Sequence, residues 1–186
     1  MPQWLQQMDE WALRWIGEHL RVSVLDPIVV FYTNLGNKGL VFIAAALILL
    51  CFRHTRRAGG TALGGLLFGA IAVNLTLKPL VARPRPYQVM ELFLPLMEAP
   101  HDYSFPSGHT NAAFAFAAAL CVTLPPSCKK GKTAALIAAV LMGYSRLYVG
   151  VHFPSDVVCG AVVGTLCGVL AGWLSGQVVR RIRSRR

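Results

Sequence analysis

Residues 155–179 read SDVVCGAVVGTLCGVLAGWLSGQVV, and RRIRSRR follows at 180–186. Beyond Asp156 at its head the stretch is uncharged, and it exceeds the ~20 residues an α-helix needs to cross a hydrocarbon core. The arginines behind it mark a span that ends in the cytoplasm. Four more apolar segments lie upstream, at about 39–52, 59–77, 107–124 and 133–148. The first is short and needs extension or snorkelling flanks. The expected fold is all-α, a polytopic transmembrane helical bundle of five clear spans, or six if the apolar run 22–32, broken by Asp26-Pro27, also crosses.

Hydrophobic residues make up 55% of the chain and charged ones 14%, with a mean hydropathy of +0.52, which excludes an ordinary soluble domain. The net charge of +10 raises nucleic acid as a partner until the charges are located. Eleven of the eighteen Lys and Arg fall in three acid-free clusters beside apolar runs: Arg53, Arg56 and Arg57; Lys129, Lys130 and Lys132; Arg180, Arg181, Arg183, Arg185 and Arg186. That is positive-inside patterning, so the expected partner is the lipid bilayer with its anionic headgroups, not nucleic acid. With these clusters in the cytoplasm, residues 78–86, 106–109 and 146–156 all emerge on the outer face. The five cysteines show no C-x-x-C spacing and read as small apolar helix residues.

Residues 1–38 are expected to form an N-terminal segment ahead of a membrane domain at 39–186 with a basic cytoplasmic tail. Trp4, Leu5, Met8, Trp11, Leu13, Trp15 and Ile16 recur at helical spacing among polar residues, the pattern of an interfacial amphipathic helix. Asp9, Glu10 and Glu18 argue against a cleavable signal peptide there. Gly160, Gly164, Gly168, Gly172 and Gly176 repeat every four residues, which suits close helix packing inside the bundle or, alternatively, the seam of a homo-oligomer.

Chemistry concentrates at the outer helix ends. Lys78, Arg85 and Arg146 are cations where a charge is costly unless an anion or water meets it, and together they suit a ligand with several oxygens. Pro106-Ser107-Gly108-His109 opens a helix, whose free N–H groups, the Ser107 hydroxyl and the bare Gly108 backbone can cradle phosphate beside His109. His152-Phe153-Pro154-Ser155-Asp156 places His152 before the last helix and Asp156 in its first turn, where the carboxylate can orient one ring nitrogen and free the other to attack. His109 would then supply the leaving group's proton. Arg83 is an extra cation expected to reach a second phosphate or to be a plain loop charge. No cluster has metal-ligand spacing, so no metal or other cofactor is expected.

Lys78-x6-Arg85-Pro86, Pro106-Ser107-Gly108-His109 and Ser145-Arg146-x5-His152-x3-Asp156, in this order, resemble the three signature motifs of the type 2 phosphatidic acid phosphatase superfamily. The resemblance covers about 40–179. It implies a helical membrane phosphatase that works without metal through a phosphohistidine. His152 would be the nucleophile, Asp156 its orienting partner and His109 the general acid, with Lys78, Arg85, Ser107, Gly108 and Arg146 on the phosphoryl oxygens. The expected reaction is hydrolysis of a lipid phosphate or diphosphate at the outer face of a bacterial-type inner membrane, undecaprenyl diphosphate to undecaprenyl phosphate first. Phosphatidylglycerophosphate or phosphatidic acid is the alternative substrate. A non-catalytic lipid-phosphate binder or transporter is the rival from another class, and it leaves the His109, His152 and Asp156 set without a purpose.

Overall fold

The computed structural model describes residues 1–90 and 94–184, without the side chains of 182 and 183. Arg185, Arg186 and the Arg183 side chain of the basic tail therefore lie outside the described residues. Among those described the chain is all-helical: α1 (Gln3–His19), α2 (Asp26–Leu35), α3 (Leu40–Cys51), α4 (Arg56–Ala70), α5 (Lys78–Val81), α6 (Pro86–Val89), α7 (Gly108–Thr123), α8 (Lys129–Tyr148) and α9 (Pro154–Arg183). A π-helical stretch, Ile71–Leu77, joins α4 to α5.

The helix starts follow from local chemistry. Pro154 occupies the first turn of α9, where a missing N–H costs nothing, and the Asp156 carboxylate accepts from the Phe153 N–H at 2.9 Å. Ser107, extended at φ −68° and ψ 115°, caps α7. The Ser107 N–H donates to the Asp156 carbonyl at 3.0 Å, so the heads of α7 and α9 are tied together.

The helical stretches Arg56–Val89, interrupted at 82–85, and Pro154–Arg181 are long and apolar enough to cross a membrane. The undecided run 22–32 contributes to α2, and α2 with the helix 37–51 makes a third candidate, bent by 45°. Lys38 (φ 53°) and Gly39 (φ 70°) are left-handed at the bend. α2 thus lies directly ahead of the short 39–52 segment. α7 has 16 residues, and α8 carries Lys129, Lys130, Lys132 and Arg146. Leu47, Ile48, Leu75, Val140, Val162 and Leu166 point outward from the bundle, the surface of a membrane protein rather than a soluble one.

α7 and α9 form the most extensive helix pair. A Cβ on Gly160 would stand 2.6 Å from the Ser107 carbonyl oxygen, on Gly164 2.3 Å from that of Asn111, and on Gly168 2.4 Å from that of Ala115. Three glycines of the stripe therefore face the α7 backbone within the chain, and the alanines of α7 supply the matching smooth surface. Gly164→Ala is expected to force the helices apart and destabilise the protein by about 1–3 kcal/mol. Thermal unfolding in detergent should show the loss for Gly164→Ala and none for Gly131→Ala, which has open space around it.

Candidate active site

A cavity of about 820 Å³ opens at the end of the bundle where α7 and α9 begin, and Lys78, Arg85, His109, Arg146 and His152 all line it. The three separated sequence stretches thus meet in one place. Its other wall is apolar, built by Ile43 of α3 and Leu63, Leu66, Leu67 and Ala70 of α4. Asn74 of the π-helical stretch lies between the two halves, a position where such wide turns recur at functional sites.

Lys78, Arg85 and Arg146 are 7%, 2% and 1% exposed, so partners must offset their desolvation. Asp102 takes much of that role. Its carboxylate bonds Lys78 Nζ and accepts from Arg85 Nη2 at 2.5 Å, while its carbonyl accepts from Arg85 Nε at 2.8 Å. Arg85 Nη1 also donates to the Val151 carbonyl at 2.7 Å. Burial alone would raise the Asp102 carboxyl, but the hydrogen bond and charge of Lys78, with those of Arg85, hold it at about 2. Arg146 Nη1 donates to Thr33 Oγ1 at 2.6 Å, and its Nε is buried with no hydrogen-bond partner among the described residues.

His152 stands between two environments. Nε2 lies 3.4 Å from Arg85 Nη1 on the cavity side. Nδ1 lies 3.5 Å from Asp156 Oδ2 and 3.4 Å from Ser104 Oγ. Asp156 is itself fixed: Ser104 Oγ donates to Oδ2 at 2.5 Å and Arg83 Nη1 to Oδ1 at 2.6 Å. Burial, then the charges of Arg85, Arg146 and Lys78, pushes the His152 imidazole well below its ordinary value. A neutral ring with its proton on Nδ1, toward Asp156, and its lone pair on Nε2, toward the Arg85 N–H, suits both neighbours. His109 reaches the same cavity from α7, its Nε2 3.0 Å from Asn37 Oδ1 at the bend between α2 and α3.

Two of the expected site residues lie off the cavity wall. Arg83 is 4% exposed, paired with Asp9 at 2.7 Å and Asp156 at 2.6 Å, and stacked 4.1 Å over the Phe153 ring. Ser107 is fully buried, and its hydroxyl accepts from Thr110 Oγ1 at 2.9 Å, so it caps α7 instead of facing the cavity, whereas Gly108 does line it. Sequence reasoning missed Asp9, Thr33, Asn37, Asp102 and Ser104. None carried a local signal; even Asp102 is one of three acids, with Glu91 and Glu98, in the connection after α6. No group of three His, Cys, Asp or Glu that could hold a metal ion occurs among the described residues.

Fold and site together define a membrane-embedded helical protein with a buried polycationic pocket and two histidines. Residues 59–182 match the PAP2 superfamily, and the chain belongs to it. Undecaprenyl-diphosphatase of Sulfolobus acidocaldarius is 34% identical over 145 residues, 78% of this chain and 68% of that protein. Phosphatidylglycerophosphatase B of Bacillus subtilis is 34% identical over 170 residues, 87% of this chain and 80% of that one. The crystal structure of Aquifex aeolicus LpxE superposes with a TM-score of 0.77 at 30% identity, covering 88% of this chain and 94% of that one.

Thr33 tests whether the N-terminal segment builds this site. Thr33→Val removes the hydroxyl that accepts from the buried Arg146 Nη1, while Ser145 Oγ keeps the Met142 carbonyl at 2.7 Å, at an expected cost of about 1–3 kcal/mol. Thermal unfolding in detergent should show the loss, and Thr33→Ser should restore most of it.

Proposed function

We propose that this membrane lipid phosphatase hydrolyses undecaprenyl diphosphate to undecaprenyl phosphate at the outer face of a bacterial-type plasma membrane, through a phosphohistidine on His152. The observation that carries the reading is the two-sided cavity, cationic at the His152 end and apolar between α3 and α4, which fits a phosphorylated headgroup with an attached hydrocarbon chain. Phosphatidylglycerophosphate is the second reading, favoured by the length over which phosphatidylglycerophosphatase B matches.

In the proposed mechanism Lys78, Arg85, Arg146 and the N–H groups at the head of α7 hold the terminal phosphoryl oxygens. His152 Nε2 attacks the terminal phosphorus, an N–P bond forms, and the P–O bond to the lipid phosphate breaks. His109 protonates the departing oxygen, then takes a proton from the water that attacks the phosphohistidine and releases inorganic phosphate. No step draws on a metal. Asp156 holds the Nδ1 proton and stabilises the charge that the imidazole gains.

The orientation rests on charge. Arg57 and Arg180 share a second cavity with Val122, and Lys132 donates to the Cys121 carbonyl at 2.9 Å, so the basic clusters gather at the end of the bundle away from the site. Positive-inside placement then puts the C-terminus in the cytoplasm, α3, α4, α7, α8 and α9 across the membrane, and the site outside. Trp4, Trp11 and Trp15 of α1, 62%, 70% and 44% exposed, suit an interfacial helix.

Phosphate release by the purified protein tests the reading. His152→Ala should abolish release, His109→Ala should lower kcat by about 10²–10⁴-fold, and chelator should change nothing. Release surviving His152→Ala would sink the phosphohistidine. Because His152 loses its proton at a lower pH than an ordinary imidazole, the acid limb of kcat/KM should fall below pH 6.5. A side-by-side panel of undecaprenyl diphosphate, phosphatidylglycerophosphate and phosphatidic acid decides the substrate, and a tenfold preference is about 1.4 kcal/mol of discrimination.

A further inference from the structure

The geometry points to α1 as part of the catalytic apparatus: we propose that Asp9, acting through Arg83, is a positioning residue for the Asp156–His152 pair. The proposal rests on the phosphohistidine reading and extends it to residues outside the three motifs.

α1 is largely exposed, yet it buries Asp9 to 3%. Asp9 Oδ2 accepts from Arg83 Nη2 at 2.7 Å and from Ser155 Oγ at 2.5 Å, and Oδ1 accepts from the Ser155 N–H at 2.9 Å. Gln6 Oε1, one turn earlier, accepts from the same Arg83 Nη2 at 2.7 Å. The opposite guanidinium nitrogen, Nη1, holds Asp156 Oδ1 at 2.6 Å and Ser155 Oγ at 2.8 Å. Arg83 is therefore a rigid fork between two carboxylates, with the Phe153 ring beneath it.

Charge explains why both carboxylates are present. With Asp156 as its only partner, a buried guanidinium would neutralise the carboxylate that His152 relies on. Asp9 takes half of that charge, so the trio keeps one net negative charge, and Asp156 remains anionic toward the imidazole. Position matters equally, because Nδ1 is 3.5 Å from Asp156 Oδ2 and a small rotation of the carboxylate breaks the alignment.

The test uses the full-length protein in detergent micelles with the best of the three lipid phosphates above. Asp9→Asn is expected to lower kcat at least tenfold with KM within twofold. It should also move the acid limb of kcat/KM to lower pH, because less negative charge reaches the imidazolium. The other charged or titratable groups facing His152, namely Lys78, Arg85, Arg146, Asp102 and His109, are unchanged by the substitution. Asp9→Glu should recover part of kcat. A staple that merely fastened α1 to α9 would lower thermal stability and leave the kcat of folded protein and the pH limb in place, which overturns the proposal. Should Asp9→Asn not fold, Gln6→Ala decides: reduced kcat at constant KM supports positioning, and wild-type kcat overturns it. His152→Ala is run alongside. If it is dead while Asp9→Asn behaves as wild type, the Asp9 role fails alone; if it is active, the phosphohistidine reading fails first.

Discussion

Four cations, Lys78, Arg83, Arg85 and Arg146, are buried at one end of an apolar bundle, and the site is organised around satisfying them. Each would be costly to leave unpaired at that depth. Their partners come from every direction: Asp102 from the long connection after α6, Asp9 and Thr33 from the N-terminal helices, Asp156 from α9, and the Val151 carbonyl from the turn before it. The loops around the cavity meet these demands together with apolar packing of Met90, Leu96, Met97, Val149, Val151 and Phe153. Below them, packing of small residues takes over, with the α9 glycines against the α7 backbone setting the distance between the helices that carry His109 and His152.

That division explains what could be read from the chain. Helical membrane architecture was legible because hydrocarbon thickness imposes a length and a composition on every span. The motifs that carried the family resemblance were legible because a helix start concentrates cap, backbone donors and histidine within a few residues, as at 106–109 and 152–156. Asp9 and Arg83 are 74 residues apart, Thr33 and Arg146 113, and Asn37 and His109 72. No local pattern links such pairs. Asp9 in particular sits in a helix whose outward face is tryptophan-rich, so on sequence it passes for ordinary polar-face chemistry.

The same logic accounts for Arg83. Its neighbours in sequence are the cavity-lining cations Lys78 and Arg85, and proximity suggested a shared task. Backbone geometry decides otherwise: Ala82 adopts φ 48°, and Arg83 leaves the line of Lys78 and Arg85 to point toward α1 and α9. Two charges within three residues, Arg83 and Arg85, thus serve opposite sides of His152.

Those two sides carry opposite net charge. Toward the cavity, Lys78, Arg85 and Arg146 face the single carboxylate of Asp102, leaving an excess of two positive charges, which matches a phosphoryl dianion. Behind the imidazole, Asp9 and Asp156 outnumber Arg83 and leave one negative charge. His152 lies between them, and in the proposed mechanism the negative side holds its N–H and stabilises the positive charge that the ring acquires when the N–P bond forms. Asp102 is exposed on the solvent side, whereas Lys78 and Arg85 are buried. An anion therefore enters a site whose cations are already aimed, and little reorganisation remains for the chemical step.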